Sequence, residues 1–175
     1  MSKIACNFVS WSMFYELCNE LAGTITASYQ PDLIIAIGRG GWMPGRVLSD
    51  MLGQFNLTSI KIEHYQETQH HQAAQVSCPL TADINGKRVL IVDDLCDSGD
   101  TFEVAVQHVR CRGKPAQVKT ACLFYKQVSS FAPDFYAEKL YEWRWLTFPW
   151  AVVEDINGLL KRINIESETE DELRK

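Results

Sequence analysis

One stretch of the chain concentrates carboxylates, hydroxyls and a glycine in a pattern suited to binding an anion: Val89-Leu-Ile-Val-Asp-Asp-Leu-Cys-Asp-Ser-Gly-Asp-Thr101. An apolar run ends in two adjacent acids, Asp93 and Asp94, and a small polar segment then feeds a helical pattern. Backbone N–H groups at Ser98, Gly99, Asp100 and Thr101, with the hydroxyls of Ser98 and Thr101, make an anion cradle that a helix dipole reinforces. A phosphate monoester suits it. Asp93 and Asp94 can accept hydrogen bonds from vicinal hydroxyls or hold Mg2+, an ion that takes carboxylate oxygens together with substrate phosphates. Sugar, phosphate and metal are thus suggested together. A surface turn with a capping aspartate is the commoner fate of D-S-G-D, and two acids closing an apolar strand argue against it.

These residues need a scaffold, and the apolar pattern supplies one. From Ser10 to about Ser28 the residues Trp11, Phe14, Tyr15, Cys18, Leu21, Ala22 and Ile25 recur at helical spacing. Asp32-Leu-Ile-Ile-Ala-Ile-Gly38 is a short, nearly continuous apolar run that reads as a strand buried on both faces. After Gly38-Arg-Gly-Gly41 a helix opens with Pro44 in its first turn and stops at Gly53. Leu57 to His64 alternates as a strand, and the Gln- and His-rich segment 65–78 reads as a long mobile loop. Val89 to Val92 is the second buried strand; the helix after it pairs Asp100 with Glu103 as a capping box and ends at Gly113 and Pro115. Val118 to Tyr125 is a further strand. Strands alternating with single helices predict an α/β fold, a doubly wound parallel sheet. In such a sheet, ligands bind beyond the C-terminal strand ends, so the loops after Ile37, Val92 and Tyr125 converge on one crevice.

The Val89–Thr101 stretch resembles the ribose-phosphate motif of the type I phosphoribosyltransferases: four apolar residues, two acids, two apolar residues, then D-[ST]-G-x-T. The resemblance implies transfer of phosphoribose from phosphoribosyl pyrophosphate to a nitrogenous base. It implies that Asp93 and Asp94 hold the ribose hydroxyls, Asp94 with Mg2+, and that Asp97, Ser98, Gly99, Asp100 and Thr101 cradle the 5′-phosphate. In purine-specific members the acid at Asp97 also faces N7 of the base and manages its proton. Gly38-Arg-Gly-Gly41 stands where the family has its pyrophosphate loop. Gly40 and Gly41 let the backbone approach an anion, and Arg39 can fork onto pyrophosphate oxygens. The family's peptide at Gly38–Arg39 is often cis. Glycine-rich strand-to-helix turns also occur widely without such a role.

Lys126 closes the strand that ends at Tyr125. The resemblance makes it a donor to the exocyclic oxygen of a 6-oxopurine; on its own it would be a solvated strand-end lysine. Trp143-Arg-Trp-Leu-Thr-Phe-Pro-Trp150 holds three of the five tryptophans. It is similar to the W-x-x-x-P-W segment of xanthine–guanine and related microbial 6-oxopurine phosphoribosyltransferases, which implies that Trp145 stacks on the base and the Leu146 backbone meets its C2 side. Core or dimer-interface packing is the alternative for these aromatics, and Trp150 is read that way. The family places an acid directly after P-W, whereas here Ala151-Val-Val precedes Glu154. Residues 65–78 fall where the family has a hood loop that closes over the site. Adjacent His70 and His71 point apart and lack a third ligand, so the hood is preferred to a metal site. Cys96 fills an apolar motif position and is read as packing.

Composition bounds what else the chain can be. Its 175 residues, 46% hydrophobic and 22% charged, make one domain (1–175) with an ordinary core. Seventeen Lys and Arg against twenty-two Asp and Glu, net −5, exclude a general attraction to nucleic acid or anionic membrane. The N-terminus has no signal-peptide pattern and no run of about eighteen apolar residues exists, which predicts a cytoplasmic protein. The six cysteines show no C-x-x-C and are read as reduced. Glu166–Lys175, with five acids and two bases, is an acidic, solvated tail. The family implies a homo-oligomer, a dimer or a tetramer. A nucleotide-binding regulator that keeps this fold is the competing function; its RNA-binding forms need a basic face that this chain lacks. A pyrimidine or adenine enzyme is disfavoured by Lys126 with Trp145–Trp150, and a phosphoacceptor receiver domain leaves the cradle and Arg39 unexplained.

Overall fold

Every residue of Leu33-Ile-Ile-Ala-Ile-Gly38 is buried, as an apolar run without polar alternation requires. In the computed structural model, which describes residues 6–68, 71–142, 144–154 and 156–157, this run is strand β2. The elements follow in the order β1 (Cys6–Phe8), α1 (Trp11–Thr26), β2 (Leu33–Gly38), α2 (Trp42–Met51), β3 (Leu57–Thr68), β4 (His71–Cys78), β5 (Arg88–Cys96), α3 (Asp100–Arg112), β6 (Gln117–Lys126), β7 (Phe135–Leu140) and β8 (Trp145–Thr147). They divide into two units, one of Tyr15–Glu142 and one of the described parts of Met1–Phe14 and Trp143–Lys175.

In the larger unit six strands form a sheet of order β4-β3-β2-β5-β6-β7, parallel throughout except for the antiparallel β3–β4 edge. The expected α/β architecture is therefore present. Strand alternation divides β2 between two helices. Leu33, Ile35 and Ile37 join Ile60, Ile62, Val89 and Ile91 in one core cluster with Phe102, Ala105 and Val109 of α3. On the other face Ala36 lies against Gly45 of α2, so closely that a Cβ at Gly45 would stand 2.8 Å from that of Ala36. The N-terminal ends of β2 and β5 are tied by Asp32, whose Oδ2 accepts from Arg88 N at 2.8 Å and Nε at 3.0 Å while Oδ1 accepts from Nη2 at 2.8 Å. These bonds hold the Asp32 carboxyl down at about 2. A second tie links the chain before β5 to α3: the Leu80 N–H donates to His108 Nε2 at 3.0 Å, and Arg112 Nη2 donates to the Leu80 carbonyl at 3.1 Å.

In the smaller unit β1 and β8 pair in parallel, Cys6 with Trp145 and Phe8 with Thr147. Trp150 packs on Phe14 and Phe148, each at 4.9 Å between ring centroids, which makes it the packing aromatic it was expected to be.

Several expectations need correction. Segment 65–78, expected as a loop, is largely strand: β3 runs on to Thr68 and pairs with β4 from Thr68↔His71 to Lys61↔Cys78. Backbone pairing of an edge hairpin makes little demand on side-chain type, so a Gln- and His-rich composition hid it. Gln69 and His70 of the histidine cluster lie outside the described residues, as does the acidic tail 166–175. The Asp100–Glu103 capping box does not form. Gly99, at φ +104°, is the N-cap of α3, and the Asp100 carboxylate instead accepts from Ser98 Oγ at 3.0 Å. Strand β5 continues past the two acids to Cys96. All six cysteines are free thiols.

Candidate active site

The C-terminal ends of β2, β5 and β6 carry the residues that the sequence singles out. Asp93, still within β5, is buried, and its Oδ1 accepts from the Asp94 N–H at 2.9 Å. Burial, with the neighbouring charge of Asp94 adding to it, raises the Asp93 carboxyl well above the ordinary carboxylate range. Asp94 is half-buried and lines a cavity of about 500 Å³, together with His64 and the residues from Leu95 to Phe102. Asp97 to Thr101, the residues expected to cradle a phosphate, all lie on that cavity wall.

The glycine loop approaches from β2. The Gly38–Arg39 peptide is cis, as the resemblance implied. Arg39 is exposed, and the Gly41 N–H donates back to the Ile37 carbonyl at 2.8 Å. A Cβ at Gly40 would stand 2.5 Å from both carboxylate oxygens of Asp94, and one at Gly41 would overlap the Val92 carbonyl oxygen. Only glycine lets this loop lie against the β5 tip. Gly40 and Gly41 are thereby brought to the acid pair.

Asp97 and Lys126 meet through strand register. Cys96 pairs with Tyr125, so the residues that follow each of them emerge side by side. Lys126 Nζ sits 2.9 Å from Asp97 Oδ1, the lysine side chain 5% exposed and the aspartate 57%. Trp145 and Leu146 lie on β8 in the smaller unit, and Leu146 is buried.

Two supports of the cradle went unrecognised in the sequence. The connection from β6 to β7 folds onto the loop: Ser130 N and Oγ both donate to the Ser98 carbonyl, at 2.8 and 3.0 Å. Phe131 stacks on Phe102 at 5.5 Å and would be struck by a Cβ at Gly99. Cys96, 1% exposed, has its Sγ 3.2 Å from Ser129 Oγ, and burial raises its thiol pKa, which fits packing and not nucleophilic attack. The other residue is His64, on β3, whose Nε2 lies 3.2 Å from Thr101 Oγ1.

The donor set fits Mg2+ shared with a substrate. Asp94 presents a carboxylate at the cavity beside a second buried acid, and Mg2+ is commonly held by one or two carboxylates plus substrate oxygens. Among the described residues no group of three or more His, Cys, Asp or Glu forms a metal cage of protein ligands alone.

The family model of the phosphoribosyl transferase domain matches residues 7–156. The chain belongs to the phosphoribosyl transferase domain family. It is 29% identical over 143 residues to a xanthine-guanine phosphoribosyltransferase of Idiomarina loihiensis, covering 82% of this chain and 85% of the relative. It is 30% identical over 145 residues to that of Gluconobacter oxydans, covering 81% and 82%. The crystal structure of a purine phosphoribosyltransferase from Pyrococcus horikoshii superposes with a TM-score of 0.75 at 33% identity, over 83% of this chain and 93% of that one. Among the described residues no helix is long and apolar enough to cross a membrane.

Proposed function

We propose that this phosphoribosyltransferase moves phosphoribose from phosphoribosyl pyrophosphate to a 6-oxopurine (hypoxanthine, guanine or xanthine), giving the nucleoside 5′-monophosphate and pyrophosphate. The observation that carries the choice of base is the Lys126–Asp97 pair. An ammonium donor beside a carboxylate acceptor complements the adjacent O6 and N7–H of a 6-oxopurine, whereas adenine would offer an amino donor to the ammonium. The similar proteins of Idiomarina loihiensis and Gluconobacter oxydans, both xanthine-guanine phosphoribosyltransferases, support the reading.

In the reaction the purine nitrogen attacks ribose C1 as the bond to pyrophosphate breaks, and positive charge builds on the sugar. Asp93 and Asp94 hold the ribose hydroxyls and sit near that charge. The Ser98–Thr101 amides and hydroxyls fix the 5′-phosphate, which sets the ribose for in-line displacement. Arg39 and the Gly40–Gly41 amides meet the negative charge gathering on the leaving pyrophosphate. Asp97 accepts the N7 proton as the base becomes a nucleotide. Asp94 would hold Mg2+, which would supply charge neutralisation on pyrophosphate. Trp145 and Leu146 carry the ring-stacking and C2-side roles in this proposal, and a cytoplasmic homo-oligomer is part of it. The direct test is pyrophosphate release from phosphoribosyl pyrophosphate with and without a 6-oxopurine. Release that does not depend on the base contradicts transfer.

A further inference from the structure

We infer that His64 is a further arm of the phosphate cradle, a side chain on β3 that binds the ribose 5′-phosphate together with the loop preceding α3. The inference rests on the phosphoribosyl reading of the site and adds a residue to it from another element of the fold.

Strand geometry brings His64 there. Ile60, Ile62 and His64 alternate along one face of β3, and Ile60 and Ile62 belong to the core cluster that includes Phe102 of α3. The next position on that face therefore extends beyond the apolar stripe to the first turn of α3, where His64 Nε2 lies 3.2 Å from Thr101 Oγ1. His64 is exposed and lines the same 500 Å³ cavity as Ser98 to Thr101. A phosphate oxygen held by the Thr101 hydroxyl is then one side chain away from the imidazole.

The charge balance of the cavity gives that placement a function. Asp94, Asp97 and Asp100 put three carboxylates on its wall, and among the described residues His64 is the one on the wall with a basic side chain. A phosphate monoester brings up to two further negative charges. The helix dipole and backbone N–H groups supply only about half an elementary charge against them. An imidazole N–H directed at the phosphate adds a donor and, when protonated, a full charge. Asp100 makes this more pressing, because its carboxylate stands inside the cradle and accepts from Ser98 Oγ, a hydroxyl that would otherwise be given wholly to phosphate.

The test measures binding by calorimetry for ribose 5-phosphate, inosine 5′-monophosphate and inosine on the parent, His64→Ala and His64→Gln. Because His64 is exposed, both variants should fold, and circular dichroism checks this. His64→Ala should lose roughly tenfold in affinity for both phosphorylated ligands and nothing for inosine, as expected for a hydrogen bond to a charged group. His64→Gln, which keeps an N–H donor, should recover part of the loss. In turnover, KM for phosphoribosyl pyrophosphate should rise with kcat within about twofold, because the contact is made equally in ground and transition states. Unchanged affinity for ribose 5-phosphate, or an equal loss for inosine, would overturn the role of His64 and leave the phosphoribosyl site standing. Failure of the parent to bind ribose 5-phosphate at all would overturn both.

Discussion

Lys126 Nζ and Asp97 Oδ1 lie 2.9 Å apart at the ends of adjacent strands, one side chain almost wholly buried and the other largely exposed. The pairing is a consequence of register, since Cys96↔Tyr125 is the last matched pair of β5 and β6. A buried ammonium requires a partner. Asp97 is one such partner, and under the proposed function a base oxygen would be another.

Asp97→Asn should lower kcat by about 10²-fold or more, the usual contribution of a positioned acid or base, while binding of phosphoribosyl pyrophosphate changes far less. The amide keeps the shape and loses the capacity to accept the N7 proton. Steady-state kinetics with calorimetric binding separate the two effects. An unchanged kcat would reduce Asp97 to a loop residue and partner of Lys126.

Gly40→Ala places a methyl against both oxygens of Asp94 and should push that carboxylate from its position. The end of a flexible side chain can give way, so thermal stability should move little. Affinity for phosphoribosyl pyrophosphate in the presence of Mg2+ should fall roughly tenfold or more, the scale seen when a metal ligand's support is disturbed. Equal affinity in parent and variant would remove Asp94 from the metal role.

How much of this was visible beforehand depends on how local each feature is. Strands β2 and β5 and the two loops after them stood out because a buried parallel strand is a continuous apolar run and a phosphate loop is contiguous in sequence. Strands β1 and β8, three residues each, leave no period to detect, and Phe-Tyr-Ala-Glu-Lys-Leu of β7 mixes charged and apolar residues at an edge of the sheet. The roles of His64 and Ser130 depend on contacts with Thr101 and Ser98, 37 and 32 residues away in the chain, and nothing next to either residue announces them.

His108 gives a pH dependence of stability. Its ring nitrogen accepts the Leu80 N–H, and burial, then the charge of Arg112, lowers its pKa from the ordinary 6.5. A histidine with a depressed folded pKa contributes stability that is present above the ordinary value and lost as pH falls through the lowered one. His108→Gln keeps an acceptor and removes the titration. The Tm of the parent should therefore fall relative to that of the variant between about pH 7 and pH 5. Asp93, whose raised pKa acts in the opposite direction, is common to both proteins and cancels in the difference. Parallel Tm profiles would show that the Leu80–His108 bond does not couple to pH.

Trp145→Ala should raise KM for every 6-oxopurine together, by about 1–3 kcal/mol in apparent binding, the range for loss of one base–aromatic stack. Kinetics with two bases suffice. A change confined to one base would assign Trp145 to selectivity, and no change would leave it a packing residue of β8.

A phosphoribosyl site joined to a 6-oxopurine site through Lys126 and Asp97 would discriminate between bases at the 6-position. The most direct measurement is kcat/KM with phosphoribosyl pyrophosphate for hypoxanthine, guanine, xanthine and adenine, on the parent and on Lys126→Ala. The 6-oxopurine assignment predicts turnover of at least one 6-oxopurine, adenine used poorly by the parent, and that preference eroded in the variant. Efficient use of adenine by the parent would contradict it.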